Sequence, residues 1–228
     1  MTQLLDIIAK PVRRDVIING GVVSRFVPSV LCGPPGAFSA PLARHLAFAS
    51  AANGKRTLLL TDDGNAVAEW STWAEVTKAP AWARSLLTVV HEAQTNDWCR
   101  SHRGFGRMAA IRELTPKLAP QIVVSDFLGT APLGLFAHEA STYLEIASRF
   151  MEDDGAGVLL AAHTGSAPNP PLDPALGTYW TITAGQNLAL AVKGPKGETV
   201  HLVGREYRGS EHRGALVIVF AEKEIANV

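Results

Sequence analysis

The sequence predicts an α/β fold: a single Rossmann-like domain spanning residues 1–228, with a mostly parallel sheet and an antiparallel C-terminal hairpin. Three stretches predict it. Val27 to Leu46, VPSVLCGPPGAFSAPLARHL, is an apolar run that breaks into Gly33-Pro34-Pro35-Gly36 and then into an alanine-rich helical pattern. Lys55 to Thr61 carries TLLL into Asp62-Asp63-Gly64, and Gln121 to Leu128, QIVVSDFL, carries an apolar strand into Ser125-Asp126. Near-continuous apolar strands bounded by glycine turns and helical patterns mark parallel strands buried on both faces. In such a sheet the crevice lies at the carboxyl ends of the strands, where glycines let the backbone come close and a helix N-terminus offers unpaired N–H groups. A turn made for packing alone gives the same letters.

Taken in order, Thr2 to Ala9 reads as a short helix stopped at Lys10-Pro11, and Asp15 to Ile18 as an extended piece before Asn19-Gly20-Gly21. Residues 1–25 are an N-terminal extension to the first mostly apolar strand, Phe26 to Cys32. The helix Ser39 to Ala52 tolerates Pro41 in its first turn and ends at Asn53-Gly54, a C-cap signature. The strand Lys55 to Thr61 completes a βαβ unit with carboxylates at its carboxyl end. Leu86 to Val90 is the third strand, Ile111 to Leu118 a helix ended by Pro120, and Ala137 to Phe150 another. Met151 to Gly155 is a turn, Gly157 to Ala162 a strand, and residues 164–177 a proline-rich loop. The tail from Trp180 to Lys223 alternates strands and turns.

Composition narrows the class. The chain has 228 residues, 47% of them hydrophobic, enough for one substantial core. Lys plus Arg equals Asp plus Glu at 21 each, so the molecule lacks the basic excess of a dedicated nucleic-acid coat. Cys32 and Cys99 make neither a disulfide framework nor a metal-ligand pair, so no metal is expected. With no signal segment and no membrane-length apolar run, a soluble, cytoplasmic location is expected.

Four of the five tryptophans, Trp70, Trp73, Trp82 and Trp98, lie in the segment 66–105, whose end runs into the basic loop HRGFGR, His102 to Arg107. Interleaved aromatics and cations suit stacking on a nucleic-acid base. Tryptophans in a helix-rich segment also suit a core or a contact with a protein partner or a second copy of the chain.

Together these stretches resemble a class I S-adenosylmethionine-dependent methyltransferase. VLCGPPGAFSAPLA is similar to the first motif of FtsJ-type ribose 2′-O-methyltransferases, and IVVSDFLG resembles their fourth motif. EASTYLEIASRFMEDDGAGVLLAA looks like the helix, turn and strand that follow in many class I methyltransferases. The resemblance covers about Val27 to Ala162. It implies S-adenosylmethionine bound over Gly33, Pro34, Pro35, Gly36, Ala37, Phe38 and Ser39, with Asp62 or Asp63 on its ribose or adenine. It also implies methyl transfer to an RNA ribose hydroxyl, with RNA crossing near Arg100, Arg103 and Arg107.

FtsJ-type enzymes use a lysine-aspartate-lysine-glutamate tetrad, in which a lysine of lowered pKa takes the hydroxyl proton. By resemblance Asp126 matches the aspartate, Glu211 the glutamate and Lys10, loosely, the first lysine. His163 stands where the second lysine belongs. A neutral histidine can act as a base, and a loop histidine bonded to backbone accounts for it equally.

The competing resemblance is to a degenerate P-loop ATPase of the ParA/MinD type, in which GKRTLLLTDDGNAVAEW looks like the second strand and its acidic continuation. The turn lacks the lysine and the following serine or threonine that hold phosphate and magnesium in that family. A methyltransferase fold without catalysis, kept for assembly, is a further alternative.

Overall fold

The computed structural model describes residues 29–33, 39–102, 107–115, 118–126, 148–163, 178–184, 189–193, 199–207 and 216–221. Its strands are β1 (Ser29–Gly33), β2 (Thr57–Thr61), β3 (Leu87–His91), β4 (Ile122–Ser125), β5 (Gly157–His163), β6 (Thr178–Ala184), β7 (Ala189–Lys193), β8 (Thr199–Tyr207) and β9 (Leu216–Ala221). They form one sheet in the order β3-β2-β4-β5-β1-β6-β7-β8-β9. The first six strands in that order run parallel, and β7, β8 and β9 join by antiparallel pairing. The mostly parallel α/β sheet is the predicted class. Its carboxyl-terminal part is a meander rather than one hairpin.

Strand alternation sorts the apolar residues into two cores. Leu31, Leu59, Ile122, Val124, Leu159 and Ala161 face one side of the sheet, where helices α1 (Ser39–Ala52) and α2 (Ala66–Thr77) cover them. Val30, Cys32, Leu58, Leu60, Val123, Val158 and Leu160 face the other, against Ile111 of α4 (Arg107–Leu114) and Phe150 of the helical segment 148–154. Every described residue of β1, β2 and β4 is buried, whereas β3 is half-buried at the sheet edge. That difference is why β1, β2 and β4 read as unbroken apolar runs.

Helix α1 matches its predicted bounds because its ends are chemically marked. Gly54 adopts φ +81, and the Lys55 N–H bonds back to the Ser50 carbonyl at 3.1 Å, closing the last turn. The same device corrects one boundary: the expected turn at Met151 is helical through Asp154. The segment ends at Gly155, at φ +61, with the Ala156 N–H on the Phe150 carbonyl at 3.2 Å. The middle of the chain holds elements without a glycine stop, namely α2, which closes in the same left-handed turn but at Lys78 (φ +53), a 3-10 helix (Ala81–Leu86) and α3 (Glu92–Ser101). The expected helix Ile111 to Leu118 instead spans Arg107–Leu114. The expected elements before Phe26, most of the helix from Ala137 and the loop 164–177 lie outside the described residues.

The tryptophans divide by exposure. Trp73 is 0% exposed; it stacks on Trp70 with ring centroids 5.6 Å apart and meets Phe48 at 5.9 Å. Trp82 is 48% exposed. Two of the four are therefore core, which locks α2 onto α1. Trp73→Ala should cost about 3–5 kcal/mol in urea unfolding, whereas Trp82→Ala should stay within about 1 kcal/mol of the parent. Equal losses for the two would contradict this division.

Candidate functional site

The site grows from one charged side chain in an apolar helix. Arg44 sits in α1 between Leu42 and Leu46, on a helix of which all but two residues are buried. A guanidinium taken from water requires carboxylates with good geometry, and three supply it. Its Nε and Nη2 donate to the two carboxylate oxygens of Glu69 in α2, at 2.7 and 3.2 Å, a bidentate fork. Its Nη1 donates to Asp126 Oδ2 at 2.8 Å, and Nη2 lies 3.1 Å from Asp63 Oδ2.

The surrounding loop is organised around the same groups. The Thr61 hydroxyl, at the end of β2, donates to Asp126 Oδ2 at 2.9 Å while accepting the Asp63 backbone N–H at 3.0 Å. Asp63 Oδ1 accepts the Asn65 N–H at 2.8 Å and so shapes the entry into α2. The cluster ties the carboxyl ends of β2 and β4 to both helices on that face. Asp126 is 1% exposed, and its Oδ1 has no hydrogen-bond partner among the described residues.

The sequence-predicted residues fall on this edge unevenly. Gly33, the last residue of β1, pairs in register with His163, the last of β5, and β5 lies between β1 and the strand of Asp126. Gly33 and His163 therefore end strands at the same carboxyl-terminal side of the sheet at which Asp62 and Asp63 follow β2 and Asp126 follows β4. Asp62 is exposed, whereas Asp63 and Asp126 hold Arg44. Ser39 opens α1, and its buried Oγ has no partner among the described residues. Arg100 is exposed on α3 and pairs with Asp97 at 3.3 Å. Arg107 begins α4, and its side chain lies outside the description, as does that of His163. Lys10, Pro34, Pro35, Gly36, Ala37, Phe38, Arg103 and Glu211 lie outside the described residues. Arg44, Glu69 and Thr61 were not anticipated. The available signal was a charge within otherwise apolar helical runs, LARHLAF and AVAEWSTW.

Three buried groups titrate abnormally. Burial outweighs the attraction of Arg44 and pushes the Asp126 carboxyl up to about 6, with nearby Asp62 adding to the rise. Burial opposes the Arg44 charge too, but Glu69 and Asp126 more than offset it and raise its pKa. The two directions are compatible because one guanidinium is shared among three carboxylates, so Asp126 receives only part of it. His45 accepts the Trp73 indole N–H at Nδ1, at 2.9 Å, and burial lowers its pKa to about 3.

Asp126 is raised in the folded state, so its contribution is complete below the unfolded value near 4 and is lost as pH rises through about 6. His45 is lowered, so its contribution is present above about 6.5 and lost as pH falls toward 3. The two oppose each other between about pH 4 and 6. In Asp126→Asn the falling term is gone, and stability relative to the parent should climb through that window by up to about 1.4 kcal/mol per pH unit. Chemical denaturation at three pH values checks this. Parallel profiles would show that Asp126 is ionised throughout.

No family model and no curated protein sequence matches the chain. Its structure is similar to the crystal structure of the RadB recombinase, at TM-score 0.59 and 14% identity, over 87% of this chain and 95% of that one. The RadB fold is the RecA-type P-loop ATPase fold, and at this identity the likeness speaks to fold alone. It overturns the methyltransferase resemblance, and with it the reading of the chain as an enzyme of RNA ribose methylation. The physical reason lies in strand order. The expected βαβ unit joined β1 and β2 as parts of one simple crossover, but β5 and β4 lie between them. Doubly wound dinucleotide folds keep their first two strands adjacent. No helix among the described residues is long and apolar enough to cross a membrane.

Proposed function

We propose that this chain is a degenerate P-loop ATPase-fold protein that does not hydrolyse nucleotide and acts as a binding or assembly module. The observation that carries the reading is the 2.8 Å ion pair between Arg44 and Asp126. A phosphate-binding turn runs G-x-x-x-x-G-K-[ST] into a helix, with the lysine on the terminal phosphates and the hydroxyl on magnesium. Counted from Gly33, this chain has Phe38 at the second glycine, Ser39 at the lysine and Ala40 at the hydroxyl position. Ser39 brings no charge and Ala40 no oxygen.

A carboxylate at the end of a central strand supplies the other magnesium contact in such folds. Asp126 follows β4 in that way, and its carboxylate is already engaged by Arg44 through Oδ2. The residues present therefore do not fit a magnesium nucleotide. The likeness of the fold to the RadB recombinase supports the P-loop alternative.

Phosphate release from ATP with magnesium tests the reading. The parent chain and Asp126→Ala should both remain at the protein-free blank. Release by the parent that Asp126→Ala abolishes would overturn it. In calorimetry, any heat of ATP binding should be unchanged by EDTA.

A further inference from the structure

At the opposite end of the strands from Arg44, beside the amino-terminal ends of β2 and β3, charge of a single sign gathers on the surface. Two stretches meet there: Gly54 to Arg56, between α1 and β2, and Lys78 to Leu86, which caps α2 and forms the 3-10 helix. They meet at Trp82, whose indole lies over Gly54, where a Cβ would come within 3.9 Å of the ring. Lys55, Arg56, Lys78 and Arg84 are the charged residues of the two stretches, and neither contains a carboxylate. No ion pair among the described residues neutralises any of the four. Arg56, Lys78 and Arg84 are exposed, and Trp82 is the most exposed large hydrophobic side chain among the described residues.

Both arginines are held in place by main chain. Arg56 Nε donates to the Ala119 carbonyl at 2.8 Å, and Arg84 Nη1 donates to the Leu87 carbonyl at 3.2 Å. Each bond uses one donor of a planar fork and fixes the direction of the others, so less side-chain freedom is lost when a carboxylate is taken. An exposed tryptophan among arginines is the composition of a binding hot spot. Two features select a protein segment over a nucleic acid. The chain is neutral overall and has no extended basic field to follow a phosphate backbone. A single exposed indole gives one stacking platform, where strand binding uses successive ones.

We propose that this end of the domain is a docking surface for an acidic segment of a protein partner, with Trp82 covering an apolar side chain of that segment and Arg84, Arg56, Lys78 and Lys55 taking its carboxylates. The assignment of a partner rests on the reading of the chain as a binding or assembly module, but the surface is remote from the Arg44 cluster and needs no nucleotide.

The test titrates the full chain with a fluorescein-labelled synthetic peptide of repeated Glu-Glu-Leu, followed by fluorescence anisotropy, with a Gln-Gln-Leu peptide as the uncharged counterpart. The parent should bind the acidic peptide and not the uncharged one, with an affinity that falls as salt is added. Arg84→Glu should weaken binding by at least about tenfold and Trp82→Ala by about fivefold. Trp82→Phe, which keeps an aromatic ring, should recover most of the affinity lost in Trp82→Ala. Arg149→Glu, at an exposed cation on the helical segment that covers the other face of the sheet, should bind as the parent does. Absence of binding by the parent, or equal weakening by Arg149→Glu, would overturn the proposal. Tighter binding of a single-stranded oligothymidine that Arg84→Glu removes would replace it with a nucleic-acid surface, and self-association of the parent that Arg84→Glu abolishes would replace it with a contact between copies of the chain. Phosphate release from ATP by the parent would refute the functional reading and leave the peptide titration unaltered.

Discussion

One buried charge sets the terms for the rest of the sheet's carboxyl edge. Arg44 is carried into the interior by a helix that is apolar on nearly every side, and an isolated guanidinium there would cost several kcal/mol. Four polar contacts on three carboxylates offset that cost and at the same time fix geometry. They determine how α2 lies on α1, how the loop after β2 turns, and which way the side chain after β4 points. Buried ion pairs are weak evidence for stability gained, but breaking one side leaves an uncompensated charge and is strongly destabilising. The edge therefore behaves as a unit.

The neighbouring core shares this dependence. His45, one residue beyond Arg44, is held neutral beneath the Trp73 indole, and Trp73 stacks on Trp70 one turn from Glu69. The polar cluster and the aromatic cluster are thus two faces of one contact between α1 and α2. A helix pair fixed by both bidentate ion pairing and ring stacking has little freedom to slide, which suits a rigid site better than a closing one.

Much of the architecture is legible in the sequence because it is local. The bounds of α1 follow from alanine propensity and a glycine cap, and β1, β2 and β4 follow from apolar runs that end at turns. Strand order is different. A glycine turn after one strand and an aspartate after another occur in both a doubly wound and a RecA-type sheet, and the order depends on which strands each helix crosses, a long-range outcome. The methyltransferase resemblance rested on motifs shared by both. Asp126 was correctly placed at a strand end, but its partner was not legible: Arg44 lies 82 positions away, and only the folded sheet brings the two within 2.8 Å. Glu69 and Thr61 were hidden for the same reason.

The central claim is that Arg44 and Asp126 interact directly as a desolvated pair. A double-mutant cycle on unfolding free energy, with Arg44→Met, Asp126→Asn and the double variant, isolates that term from each substitution's separate effects. The expected coupling is about 1–3 kcal/mol in favour of the pair. A coupling indistinguishable from zero, with all four proteins folded, would contradict it.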